Sequence, residues 1–446
     1  VLPTQAFFYG MEPGEEISID IERGKTLIVR FVTVSDLHDD GTKTVHWKLD
    51  QPCSSYLTCF AIGDFVRCDD GEFQGMPVAY FTSKEFAAED LLRSFGRTRD
   101  MLAWLTEKLD HPFPYPKYFQ FALPGFGGAM ENISLVAWDD RFVLGDDLAP
   151  EWSWLVDQIN IHEMGHSYFG DLITCRDYAH AWLKESWATY CETLWLEHRY
   201  GAEERDYDWY KNVQAYIGEA DGAYKRPIVT RHFNHSWQMY DRHLYPGGAA
   251  RLHMLRHELG EETFFAGVRL YVKRFAFKVV ETPDFRRALE EVSGRSLVQW
   301  FDQWIHAKGY PSIKAAYSYD AKKGEASITL EQTQEDAKAG VPVFTMPIDI
   351  GWVIDGVLHT ETVELSRAKH TFILRTGAEP QMVRIDPRNR SVMKLEFNPG
   401  EAMLRRQLTE APDVVGRILA ANELCKVGSR RNLEAVRDAY RAESFW

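Results

Sequence analysis

The chain is short of cysteine, of positive charge and of long apolar runs, and each shortage excludes something. Its six cysteines (Cys53, Cys59, Cys68, Cys175, Cys191 and Cys425) are scattered, with neither zinc-ribbon spacing nor the density of a disulfide scaffold. Reduced thiols and a cytoplasmic location are the expectation. Lys and Arg number 51 against 66 Asp and Glu, a net charge of -15, which argues against nucleic acid or an anionic membrane as partner. No apolar run reaches the length of a membrane span, and the expectation is a chain without a signal peptide. What is present is ordinary for soluble globular protein, with 45% hydrophobic and 26% charged residues. At 446 residues the chain is too long for one core and suggests about two to four domains.

The stretch that organises the rest runs from Glu151 to Tyr190 and contains His162-Glu163-Met164-Gly165-His166. Histidines four apart share one face of a helix, so both imidazoles can reach one metal ion. Glu163, beside the first of them, can act on water held by that metal. A catalytic zinc needs a third protein ligand and an open position. Glu185 follows His166 after 18 intervening residues, inside the helical pattern Trp182 to Tyr190. A helix-turn-helix would bring it back to the pair. Taken alone, the five-residue pattern also fits a surface helix that happens to carry two histidines. With Glu185, the reading is a zinc hydrolase site.

In chain order, residues 1–45 read as β structure, with Ile17, Ile19 and Ile21 alternating with polar residues before an Arg23-Gly24 turn and the run Leu27-Ile28-Val29. Ser54 to Phe60, Ala61 to Phe65 and Val78 to Phe81 read as strands. Leu91, Phe95, Thr98, Leu102, Leu105 and Leu109 form one helical stripe, ended by Asp110 to Pro114. A short β region then carries Gly127-Gly128-Ala129-Met130-Glu131-Asn132. Leu252 to Leu259 reads as a helix closed by Gly260. Thr282-Pro283-Asp284 starts another, with Thr282 as the capping side chain, and Gly294 stops it. Ser296 to Ile305 is a last helix before the boundary at Gly309-Tyr310-Pro311. From there to about Phe397 the pattern is all-β, with Asp355-Gly356 as a hairpin signal, and suits a small sandwich. Beyond Gly400 it is helical, the start of a repeat-like array.

These residues carry a resemblance. From about His46 onward the chain resembles the aminopeptidase N family of zinc metallopeptidases, which includes leukotriene-A hydrolase. The resemblance implies a multidomain α+β protein. Its parts would be a truncated β domain (46–83), a thermolysin-like catalytic domain (84–309), a β-sandwich (310–398) and the start of a helical domain (399–446). It implies one Zn2+ per chain on His162, His166 and Glu185, Glu163 as general base, and a peptide substrate cleaved at its N-terminal bond. Gly128, Ala129, Met130 and Glu131 would line the substrate, with Glu131 holding its α-ammonium; a fixed carboxylate suits that task. Tyr245, in Tyr245-Pro246-Gly247-Gly248-Ala249, would stabilise the oxyanion, with Tyr240 as the runner-up.

Several positions depart from the family. Lys184-Glu185-Ser186-Trp187-Ala188 stands where asparagine-glutamate-glycine-phenylalanine-alanine is usual, and Gly247 replaces a lysine. The N-terminal β domain keeps only its last strands, without a counterpart for the family's second amine-binding residue, so reduced activity is expected. Residues 1–45 instead resemble a region near the C-terminus of pyruvate carboxylase, on Gly14-Glu15-Glu16-Ile17, Gly24-Lys25-Thr26-Leu27 and Gly41-Thr42-Lys43-Thr44-Val45. The alternatives are an epoxide hydrolase of the leukotriene-A type, which uses the same zinc site, and a peptidase relative acting as a binding protein.

Overall fold

A computed structural model of the chain describes residues 16–17, 30–37, 43–49, 51–59, 61, 63–334 and 340–445, with side chains from Leu49 onward. Ile19, Ile21, the Arg23-Gly24 turn and Leu27 to Val29 lie outside the described residues. Glu16–Ile17 pairs parallel with Lys43–Lys48, which pairs antiparallel with Arg30–Leu37. The chain divides into two units: residues 1–195 with 261–295, and residues 196–260 with 296–446.

The first unit is built on a five-stranded sheet in the order Val66–Phe73, Met76–Thr82, Tyr118–Leu123, Leu135–Asp139, Ala129–Met130. The central pairs are parallel and both edge pairs antiparallel. The sheet therefore begins at Val66, and the strands expected over Ser54 to Phe60 and Ala61 to Phe65 are absent from the described residues. Ser55–Leu57 is instead a single 3-10 turn. It tucks Leu57 into a cluster with Leu49, Cys53, Tyr115 and Ile133, and its Leu57 carbonyl accepts from Ile133 N at 3.2 Å. Burying one side of a turn there satisfies the backbone that a strand would have left unpaired.

The stripe from Leu91 to Leu109 is two helices, Ala88–Phe95 and Thr98–Leu109. The break follows from the Phe95 carbonyl, which accepts from Thr98 Oγ1 at 2.6 Å and lies 2.9 Å from the Tyr80 hydroxyl. Thr98 Oγ1 in turn accepts from Gln120 Nε2 at 2.9 Å and Asn160 Nδ2 at 2.8 Å. All three side chains are fully buried. Asn160 belongs to the helix Ala149–His166, the histidine helix, so these hydrogen bonds tie that helix to the sheet.

Past Ile173–Cys175, which pairs parallel with Lys278–Val280, comes the helix Trp182–Tyr200, the glutamate helix. Its start is anchored by Thr282, whose hydroxyl accepts from the Trp182 indole at 2.8 Å and lies 2.9 Å from His180 Nδ1. Thr282 is thus not the cap of its own helix, Thr282–Ser293. The capping position is Glu281, whose N–H donates to Asp284 Oδ2 at 2.9 Å. Threonine at the first helical position frees its hydroxyl for the neighbouring helix.

The second unit has the helices Ala202–Gly222 and Gly248–Leu259 and a sandwich of a four- and a three-stranded sheet. One core runs from Trp209 and Tyr216 through Trp304 and Tyr310 to Ile328, Ile350 and Ile385. It spans the Gly309 boundary read from the sequence. Glu325–Gln332 alternates half-buried and buried residues along its length, as a strand with one face on a core must. Asp355 and Gly356, at φ 48° and 77°, make the two-residue turn between Met346–Ile354 and Val357–Leu365. Three helices follow, Glu401–Glu410, Val414–Val427 and Arg430–Ala442. No helix among the described residues is long and apolar enough to cross a membrane.

Candidate metal centre

The histidine helix ends on His166, one turn after His162. Gly165 between them lets the glutamate helix approach: a Cβ there would lie 3.1 Å from Cys191 Sγ and 3.4 Å from Ala188 Cα. Trp187 stacks on Phe169 with ring centroids 4.4 Å apart, fixing the glutamate helix against the turn that follows His166. As a result Glu185 Oε2 lies 3.2 Å from His166 Nε2 and 3.7 Å from His162 Nε2.

The other ring nitrogens are committed. His162 Nδ1 lies 2.7 Å from Glu192 Oε1, and His166 Nδ1 donates to the Phe169 carbonyl at 3.0 Å. A proton on each Nδ1 leaves each Nε2 lone pair for a cation. Donors around 2.0–2.1 Å from a tetrahedral zinc are separated by about 3.3 Å, close to the two spacings seen. His162, His166 and Glu185 therefore fit zinc. Glu192, seven residues past Glu185, was missed by sequence reasoning; two turns of helix put it on the same face, and that spacing was the available signal.

Glu163 is buried, and its Oε2 has no hydrogen-bond partner. Burial pushes its carboxyl up to about 7, against the pull of His162 and His166. One ligand atom each from Glu131, Glu163 and His166 also lie within 4.8 Å of one another. Glu131 directly follows the edge strand Ala129–Met130. Its Oε1 is 2.9 Å from Lys184 Nζ, which is also 2.9 Å from Glu185 Oε1. Burial works to raise the Glu131 and Glu185 carboxyls, but Lys184 and the imidazoles outweigh it and hold both below the ordinary value. Asp171 is buried too, and burial with Glu131 nearby raises it well above the carboxylate range. Lys184 was visible in the sequence only as a departure beside Glu185; its bridging position depends on the sheet edge meeting the glutamate helix.

Gly128 precedes the edge strand, and its carbonyl accepts from Asp139 N at 2.8 Å. Tyr245 belongs to the second unit, in a π-helical turn over His243–Gly247. Asp241 Oδ1 accepts from His243 N at 3.0 Å and Leu244 N at 2.9 Å, and Arg226 grips the same carboxylate at 2.6 and 2.7 Å. The Tyr240 ring lies 6.3 Å from that of Tyr245. Gly247 sits against Tyr216, whose ring a Cβ would meet at 2.8 Å, which explains why no lysine stands there. Glu219, Asp241 and His243 also cluster, but the Arg226 guanidinium makes that group an ion-pair network.

Two histidines and a glutamate beside a buried carboxylate define a candidate metallohydrolase centre. Residues 93–304 match the peptidase family M1 domain, and that match and the relatives found support the resemblance to the aminopeptidase N family. It is 30% identical over 304 residues to aminopeptidase N of Streptomyces lividans, covering 64% of this chain and 35% of that protein. Glutamyl aminopeptidase of Mus musculus is 28% identical over 321 residues, covering 68% and 32%. The fold is similar to that of Legionella pneumophila aminopeptidase A, solved in complex with aspartic acid, with a TM-score of 0.76 at 16% identity, over 93% of this chain and 49% of that one. The chain thus spans about a third of the length of curated relatives such as the Streptomyces protein, 35% in that case.

Proposed function

We propose that the chain is a zinc aminopeptidase that hydrolyses the N-terminal bond of peptides. The observation that carries this is the convergence of His162 Nε2 and His166 Nε2 on one oxygen of Glu185, 3.7 and 3.2 Å away, beside the unpartnered Glu163 Oε2. His162, His166 and Glu185 would hold the metal, with Glu192 and the Phe169 carbonyl fixing the two imidazoles. Zinc, when bound, supplies a Lewis acid and lowers the pKa of water.

The remaining work falls to the chain. Glu163 accepts the water proton at Oε2 and returns it to the leaving amine. Glu131 pairs with the substrate's α-ammonium and so selects the first peptide bond, with Gly128, Ala129 and Met130 alongside. For Tyr245 the resemblance proposes a hydrogen bond from its hydroxyl to the developing oxyanion. Residues 84–309 are the proposed catalytic domain, with 46–83, 310–398 and 399–446 as the parts around it. The test is zinc content measured alongside hydrolysis of amino-acid anilides. Free-amine anilides should be cleaved faster than their N-acetylated forms. Equal rates on the two would contradict an aminopeptidase.

A further inference from the structure

Lys184 is buried, with 3% of its surface exposed, and so is Glu131, with 6%. The Lys184 ammonium lies 2.9 Å from both Glu131 Oε1 and Glu185 Oε1 and over the face of Tyr56, 5.1 Å from the ring centroid. An ammonium so enclosed is expensive to displace, because moving it leaves buried carboxylates unpaired. A cation arriving at Glu131 must therefore share that carboxylate with a like charge a few ångströms away, which weakens its attraction.

We propose that Lys184 is a specificity-determining residue: it already supplies one oxygen of Glu131 with a cation and so lowers the site's preference for a charged substrate amine over an uncharged N-terminal group. This rests on the role proposed above for Glu131, and it adds the substrate class. N-termini carrying little or no positive charge are tolerated here better than a lone glutamate would allow. Lys184 also grips the far oxygen of Glu185, so the same ammonium sets the distance between the amine-binding carboxylate and the metal ligands.

The test uses ligands without a scissile bond, so it does not depend on hydrolysis. Leucinol carries a charged amine; 4-methylpentan-1-ol is the same skeleton without it. Both are titrated by calorimetry into the zinc-loaded full chain. The wild type should prefer leucinol by less than tenfold, and Lys184→Met should bind leucinol about tenfold or more tighter with the alcohol unchanged, the scale of one charge-assisted hydrogen bond. Lys184→Gln serves as a second variant with the same expectation. A wild-type preference above tenfold, or leucinol affinity unchanged or weaker in both variants, would overturn the proposal. Failure to cleave anilides would count against the peptidase reading alone, since leucinol binding is read separately.

Discussion

The molecule carries two histidine pairs at the same helical spacing, one in each unit. His162 and His166 have ring centroids 4.9 Å apart at 78°, and His253 and His257 have theirs 4.5 Å apart at 82°. Spacing and ring geometry are nearly the same; the surroundings are opposite. The first pair faces Glu131, Glu163, Glu185 and Glu192, while Arg205, Arg256 and Arg390 bear on the second. In the first, each Nδ1 is taken by an oxygen, which leaves both Nε2 atoms near Glu185. In the second, the two Nε2 atoms face each other at 2.9 Å, so one imidazole donates to the other and their lone pairs do not converge outward. A histidine pair becomes a candidate metal centre through the carboxylates that orient it and balance the incoming charge.

The comparison can be broken most forcefully at Glu163. Replacing it with glutamine leaves all three metal donors in place, and turnover should fall by about 10²–10⁴-fold, since an amide cannot take the proton. Zinc content should stay at the wild-type level. A variant with near wild-type anilide hydrolysis would remove Glu163 from the chemistry.

A smaller effect separates the pairs by acid. Burial, with His257 and the arginines adding to it, depresses His253 well below the ordinary histidine value, and burial with Arg390 takes His257 down to about 3. The folded protein holds these rings neutral while the unfolded chain protonates them near pH 6.5. Their contribution to stability is therefore complete above that value and is lost as pH falls from about 6.5, at up to about 1.4 kcal/mol per pH unit for each histidine. His257→Gln should flatten the loss between pH 6.5 and 5.5 relative to wild type, measured as the urea midpoint. An equal decline in both proteins would show that this ring is not held neutral.

The two units also differ in how far they could be read from the sequence. The approach of Glu185 to the histidine pair follows from helix periodicity and the length of the turn between them. The α+β character and the Asp355-Gly356 hairpin were legible because they depend on local patterns. The helix break after Phe95 was not, because the residues that claim its carbonyl include Tyr80, which is distant in sequence. Thr282 read as a cap and instead secures the start of the glutamate helix through Trp182, 100 residues earlier. Lys184 looked like a changed neighbour; only the fold brings it between Glu131 and Glu185.

Zinc stoichiometry in three proteins tests most directly whether carboxylates, rather than histidine spacing, make the centre. Wild type and His253→Ala should each bind one zinc per chain, and Glu185→Ala, which leaves two histidines in place, should lose most of it because a two-donor site is incomplete. Two zincs per wild-type chain, loss of zinc in His253→Ala, or full occupancy in Glu185→Ala would contradict the account.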